Sequence, residues 1–367
     1  MRALAPITPA AVGEGDPFAA DHPDIEVTRF LVPYFEYAPN LPAPDAYRRG
    51  EGREIAKRLP DLMTTEQPDI VFIGRESFGF HVPAHTGAVP CILRAAGGMT
   101  IGALGPLWSA DRRRSLFEQL RNVTRVVAPA KHLADRLREA GLSNVELILN
   151  AVDLRQFSPR PPDRELQRQL GIDPGDIVVM HVSNMKALKR PQDIARSARD
   201  ALTRNARLLY VIVGDGSERR PLEDLCRREG ISARFRFVGW VDQARMPEII
   251  ALADLVVMPS EDETLARVYL ETQACGRVLV ASDISAAREV VDEGATGLLF
   301  RMGDADDLTA KTLLAAADER LRNEIGCRAR KRVVAHDIEA ALDAYLDLLE
   351  RVSGAGAGGR RALFAAD

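Results

Sequence analysis

Two glutamates eight residues apart, Glu263 and Glu271, stand in the run Pro259-Ser-Glu-Asp-Glu-Thr-Leu-Ala-Arg-Val-Tyr-Leu-Glu-Thr-Gln-Ala-Cys-Gly276. The run follows a buried-strand pattern and opens a helical one. Such a junction points unpaired backbone N–H groups at the positive end of a helix dipole, which suits a phosphate. On a helix with Glu263 at its mouth, Glu271 lies about 12 Å further along the axis. One carboxylate then reaches a hexose while the other reaches a ribose hydroxyl of the same sugar nucleotide. Taken alone, the pair is equally two acids at a helix start, favoured by the dipole. Its surroundings add to it.

Upstream, His181-Val-Ser-Asn-Met-Lys-Ala-Leu-Lys-Arg-Pro-Gln-Asp193 follows another apolar run and offers Lys186, Lys189 and Arg190 to the same sheet edge. Three cations after a buried strand suit a diphosphate. At a helix start they oppose the dipole, so helix stability does not account for them. Val213-Gly-Asp-Gly-Ser217 places Gly214 and Gly216 where a tight turn and close backbone approach to a ligand are expected. Gly-Asp-Gly is also an ordinary turn. In Phe237-Val-Gly-Trp-Val241, Val238, Gly239 and Trp240 are candidates to face a nucleotide base, and Trp240 fits the core equally well.

The first half carries weaker signals. His81 and His85 have the i, i+4 spacing of metal ligands but no third ligand nearby. Surface or cleft histidines that hydrogen-bond an acceptor are the expectation. The run from Trp108 to Phe117 mixes aromatic and basic residues. It reads as a solvated helix start, with a membrane-surface segment as the other reading. No DxD-type pair stands at a strand end, so no metal and no other cofactor is expected.

These residues need a scaffold. Apolar runs recur at 177–182, 208–213, 235–238, 255–258, 278–281 and 297–300. Helical patterns lie between them near 190–205, 218–230, 244–253, 265–275 and 285–293, and another follows near 304–320. This alternation means βαβ units and a parallel sheet, with ligands at the carboxyl ends of the strands. The first half repeats the theme with strand candidates at 25–32, 69–74, 91–94, 124–128 and 145–149. The expected fold class is α/β, with two Rossmann-like doubly wound domains facing a cleft. Expected boundaries are 1–152 for the first domain and 153–338 for the second. Residues 339–367 are expected to form a helix crossing back, then a frayed tail.

Composition bounds the function. A chain of 367 residues suggests about two domains. A net charge of -4 and a pI near 6.0 argue against nucleic-acid binding by bulk basicity. Four cysteines with no CxxC pair suggest neither a zinc site nor a disulfide framework. The first 20 residues, with Pro6, Pro9, Gly13 and Gly15, hold no signal-peptide core, so a cytoplasmic protein is expected.

The motifs, in this order, resemble the family 4 glycosyltransferases of the GT-B fold. The resemblance is carried by His181–Asp193, Gly214-Asp-Gly216, the Phe237–Trp240 run, Glu263-x7-Glu271 with Ala274-Cys-Gly276, Ala281-Ser-Asp283 and Gly297-Leu-Leu-Phe300. Asn150-Ala-Val-Asp153 with Phe157-Ser-Pro159 is similar to the family's hinge. The 181–193 stretch looks most like the branch with the bacillithiol-pathway enzyme, which glycosylates malate. The resemblance implies that Glu263 and Lys189 are catalytic, with Lys189 on the donor diphosphate. It implies that Glu271 holds the ribose, and that Glu263 and the N–H groups of Thr264, Leu265 and Ala266 hold the sugar and β-phosphate, with Arg267 alongside.

This sequence also departs from the family. Asn184 stands where the family has arginine, so Lys186 or Arg190 supplies a second charge. Leu265 and Ala266 replace an aromatic residue and a glycine. The family's acceptor-side histidine falls near Arg94, followed by Gly97 and Gly98. The start holds a strand but no room for the family's long helix, which implies a truncated start or a rebuilt acceptor side.

The implied function is metal-independent, retaining transfer of a hexose from a nucleotide-diphosphate donor, UDP favoured, to a hydroxyl of a small molecule or glycan. The alternatives are a GT-B-fold sugar-nucleotide epimerase and a non-catalytic sugar-nucleotide-binding partner. Homo-oligomer formation and peripheral membrane contact stay open.

Overall fold

The computed structural model describes residues 2–7, 26–31, 44–74, 81–95, 110–353 and 362–365. The chain divides into two units, Met1–Leu149 with Leu342–Asp367, and Asn150–Ala341.

The first unit holds β1 (Arg2–Ile7), β2 (Glu26–Leu31), β3 (Ile70–Ile73), β4 (Cys91–Arg94), β5 (Arg125–Ala128) and β6 (Val145–Leu147). A further strand, β13 (Ala362–Ala365), comes from the far end of the chain. The parallel sheet has the order β2-β1-β13-β3-β4-β5-β6. Val71, Ile73, Ile92, Leu93, Val126 and Val127 are buried. Such near-continuous apolar strands are what a sheet covered on both faces needs.

The expectation of a frayed end is corrected at β13. Leu363 pairs with both Arg2 and Val71, so the strand fills the gap between β1 and β3. Its reason is the backbone: without it, two inner strands would each leave a row of N–H and C=O groups unpaired. The preceding low-complexity residues 354–360 lie outside the described residues. Helices α1 (Pro44–Glu66), α2 (Ala110–Asn122) and α3 (Lys131–Glu139) belong to the same unit. In α2, Leu116, Phe117 and Leu120 are buried while Arg114 is exposed, as in a surface helix with one apolar stripe. Trp108 lies outside the described residues.

The second unit holds β7 (Ile177–Val182), β8 (Leu208–Val213), β9 (Phe235–Gly239), β10 (Leu255–Met258), β11 (Val278–Ser282) and β12 (Leu298–Phe300), all parallel, in the order β12-β11-β10-β7-β8-β9. The order reverses at β7, which has β10 on one side and β8 on the other. Connections leave β7 and β10 in opposite directions, so a crevice opens at their carboxyl ends. That topology brings residues 183–190 and 259–266 together.

The helices are α4 (Arg164–Gln169), α5 (Pro191–Arg204), α6 (Arg219–Arg228), α7 (Met246–Ala251), α8 (Arg267–Ala274), α9 (Ser285–Val290), α10 (Ala305–Ala317) and α11 (Glu319–Arg332). In α5, Ile194, Ala195, Ala198 and Ala201 repeat at helical spacing and join the core with Tyr210, Val257 and Phe300. Thr309 of α10 donates to Ser197 of α5, so these two buried hydroxyls satisfy each other. The helical pattern at 244–253 shortens to α7, because a 3-10 turn at Gln243–Arg245 comes first, capped by Asp242.

A last helix, α12 (Ile338–Ser353), leads from the second unit into the first. No helix among the described residues is long and apolar enough to cross a membrane.

Candidate active site at the topological switch point

Lys189 ends a short 3-10 turn after β7, and Glu263 lies in the loop after β10. Lys189 Nζ donates to Glu263 Oε1 at 2.5 Å, and both side chains are largely buried. Ser260 Oγ donates to the same oxygen at 2.8 Å. The backbones are joined as well, with Glu261 N donating to Leu188 O at 2.9 Å. A carboxylate this buried costs several kcal/mol unless paired, on the order of the penalty for an isolated ion, and here it has a cation and a hydroxyl.

One expectation is corrected. Glu263 is not at the mouth of the helix. Ala266 is extended (φ -65, ψ 125) and α8 begins only at Arg267. The pair Glu263 and Glu271 is therefore split between a loop and the helix, and the 12 Å axial spacing does not apply.

The loop that carries Lys189 is held by a buried relay from β7. His181 Nδ1 faces Val257 O at 2.9 Å, and Nε2 faces Ser183 Oγ at 2.8 Å. Met185 N donates to that same Oγ at 3.0 Å. The only consistent polarity puts the ring proton on Nδ1, with the Ser183 hydroxyl donating to Nε2. Burial lowers the His181 pKa to about 4, with the Lys189 charge adding to the effect. The ring is neutral at pH 7, as the relay requires.

Gly214 and Gly216 serve the same loop. A Cβ on Gly214 would stand 1.8 Å from Ser183 O, and one on Gly216 would stand 2.2 Å from Asn184 O. The close approach expected toward a ligand is an approach to the protein's own backbone.

Glu271 is buried inside α8, and its Oε1 accepts from Gln243 Nε2 at 2.8 Å. Desolvation raises its pKa, opposed by the Gln243 bond and the Arg267 charge. Trp240 is 75% exposed, which overturns its reading as core. Gly239 has φ +82, and its carbonyl accepts from Gly214 N at 2.6 Å. Val238 beside it is half-buried.

Thr264 and Leu265 are buried, Ala266 is half-buried and Arg267 is exposed. Among the described residues, the N–H groups of Leu265 and Ala266 make no hydrogen bond. They stand just ahead of the unpaired N–H groups of α8. The Leu265 carbonyl accepts from Asn150 Nδ2 at 2.8 Å.

The other cations divide. Arg190 Nε bonds Asp193 Oδ2 at 2.7 Å and sits 3.9 Å from Glu261, so its charge already has carboxylate partners. Lys186 and Asn184 are exposed, and Lys186 makes no ion pair among the described residues. Of the three lysine and arginine candidates, Lys189 bonds Glu263, Arg190 lies near Glu261 of the same loop, and Lys186 touches neither.

In the first unit, Arg94 ends β4 and is half-buried beside Tyr345, whose hydroxyl it hydrogen-bonds. Gly97 and Gly98 lie outside the described residues. His81 precedes a 3-10 turn, Val82–His85, that ends in His85. No group of three His, Cys, Asp or Glu arranged to hold a metal occurs among the described residues.

Sequence reasoning missed Ser260, Gln243, Asn150 and the part played by His181. Ser260, His181 and Asn150 lay inside named motifs, but the partner of Asn150 is 115 residues away and nothing local shows it. Gln243 carries no local signal, because its partner is 28 residues away.

Two parallel-sheet α/β units in one chain are the GT-B architecture. The solved structures agree on the fold. HepE from Anabaena, in complex with UDP and glucose, aligns with a TM-score of 0.77 at 19% identity, covering 96% of this chain and 100% of that one. Sucrose-phosphate synthase from Thermosynechococcus elongatus also aligns at 0.77 and 19%, covering 97% and 100%.

Residues 162–332, within the second unit, match the family model described as glycosyl transferases group 1. N-acetyl-alpha-D-glucosaminyl L-malate synthase of Bacillus anthracis is 30% identical over 191 residues, which is 52% of this chain and 49% of that protein. D-inositol 3-phosphate glycosyltransferase of Nocardia farcinica is 32% identical over 259 residues, 67% and 56% respectively. The chain spans about half the length of these curated relatives.

Proposed function

We propose that this protein transfers a hexose from a nucleoside-diphosphate sugar, UDP favoured, to an acceptor hydroxyl, without a metal and with retention of anomeric configuration. The observation that carries the reading is the Lys189–Glu263 pair, set at the sheet's switch point beside the unbonded N–H groups of Leu265 and Ala266.

Lys189 has three N–H donors and gives one to Glu263, so two remain for a diphosphate. As the bond between the anomeric carbon and the phosphate oxygen breaks, negative charge grows on the departing nucleoside diphosphate. A lysine and preset backbone N–H groups stabilise that charge without reorganising. Glu263 keeps its second oxygen for a sugar hydroxyl, and its charge favours the positive character developing on the ring. Glu271, fixed by Gln243, accepts from the ribose. Trp240, exposed after β9, offers a face for the base. UDP is favoured because the HepE structures, which share this fold, hold UDP and UDP-glucose.

A thermal-shift titration with UDP, GDP and ADP, with and without EDTA, tests the binding part. UDP at about 100 times its dissociation constant should add about 2.7 kcal/mol of stability. No shift with any nucleoside diphosphate sinks the reading, and loss of the shift with EDTA sinks its metal-free part. Proton NMR of the first-formed glycoside decides retention against inversion.

A further inference from the structure

We infer that Asn150 is a positioning residue for the donor phosphate, holding the Leu265 carbonyl so that the Ala266 N–H faces the diphosphate. The inference rests on the donor reading above and adds to it a residue outside the donor motifs.

The argument is one of peptide geometry. The carbonyl of Leu265 and the N–H of Ala266 belong to one planar trans peptide, so they point in opposite directions. Asn150 Nδ2 donates to that carbonyl at 2.8 Å. Fixing the carbonyl on the Asn150 side fixes the N–H on the other. That N–H makes no hydrogen bond among the described residues and lies one residue before α8. A loop peptide without such an anchor can flip, turning its carbonyl toward the anion, where it repels.

Asn150 is itself anchored. His336 Nδ1 donates to the Asn150 carbonyl at 2.9 Å, and Val152 N donates to His336 O at 2.9 Å. Ile338 N then donates to Val152 O at 3.1 Å. The clamp joins the segments next to both points where the chain passes between units, 149/150 and 341/342. It places the phosphate-facing peptide under the control of the linker.

The test compares UDP with uridine, which has the base and ribose but no phosphate. Dissociation constants are measured by calorimetry or ligand-observed NMR on the full chain, for the wild type, Asn150→Ala and Asn150→Asp. The aspartate is isosteric but accepts only, so it cannot hold a carbonyl. The inference expects UDP to bind about tenfold more weakly to Asn150→Ala, and weaker still to Asn150→Asp, with uridine affinity unchanged. A merely structural role would weaken both ligands together, and that result overturns the inference. So does unchanged UDP affinity in either folded variant. Wild-type protein that binds no nucleoside diphosphate overturns the donor reading, and the inference falls with it.

Discussion

Lys189 and Glu263 meet at 2.5 Å although 74 residues separate them in the chain. Each satisfies the other before any donor arrives, with Ser260 as a third member. Removing the lysine leaves a buried carboxylate without its cation, which costs about 3 kcal/mol, at the low end for a buried pair because the lysine keeps some solvent. Urea denaturation of Lys189→Met should show that loss. A loss below about 1 kcal/mol would mean that solvent already screens the pair.

If Glu271 holds the ribose as proposed, donor binding should depend on pH. Its carboxyl titrates above the usual 4.5, chiefly because it is desolvated. Only the carboxylate accepts from both ribose hydroxyls, so UDP affinity should fall as pH drops through that raised value. For stability the sign is opposite. A carboxyl raised by folding favours the folded state most below its unfolded value, and the benefit is lost as pH rises through the folded one. Gln243→Leu removes a bond that favours the carboxylate, so the fall in affinity should begin at a higher pH. Calorimetric titrations from pH 4.5 to 8 check this, and an identical profile in Glu271→Gln would refute it.

His181 should set an acid limit on stability. Its folded pKa of about 4 lies below the ordinary 6.5. The unfolded chain therefore binds the proton more readily between those values. The stability the neutral ring contributes is complete above 6.5 and is lost as pH falls toward 4, on the order of 3 kcal/mol. Equilibrium unfolding against pH should show a steep decline in that window in the wild type and a shallower one in His181→Gln. Equal slopes would remove His181 from the account.

The glycine after β8 separates backbone strain from steric conflict. Gly214 and Gly175 both have φ above 100 degrees, but a Cβ on Gly175 meets nothing within 4 Å. Gly175→Ala should cost roughly 1–3 kcal/mol, the strain of an unfavourable backbone alone. Gly214→Ala must also push Ser183 away, and should cost more than about 4 kcal/mol. If the two alanine variants unfold at the same urea concentration, the contact between the two loops is not what selects glycine at 214.

The second unit was legible because its strands are continuous apolar runs, and β7, β8 and β10 begin and end where the sequence places them. The meeting of residues 181–190 and 259–276 at one sheet edge was legible for the same reason, since the strands before them fix where the loops emerge. What was hidden was long-range and polar. Nothing local marks Gln243 as the partner of Glu271 or Asn150 as the anchor of Leu265. The start of α8 at Arg267 depends on Ala266 staying extended, a conformation that alanine does not prefer by itself. Strand β13 is four residues long and exists only because β1 and β3 leave room for it. Trp240 was ambiguous because an aromatic side chain suits a core and a ligand face equally, and only its exposure separates the two.

The central claim is that Glu263 acts on the sugar as it leaves its phosphate. Steady-state turnover of a sugar nucleotide by Glu263→Gln, with melting curves alongside, tests it most directly. The amide can still accept from Lys189, so folding should be nearly kept, while the charge that favours the transition state is gone. The account predicts a fall in kcat of about a hundredfold, roughly 2.7 kcal/mol, with a smaller change in donor affinity. A variant that melts early yet turns over at the wild-type rate would contradict it, leaving Glu263 as a residue that only holds two loops together.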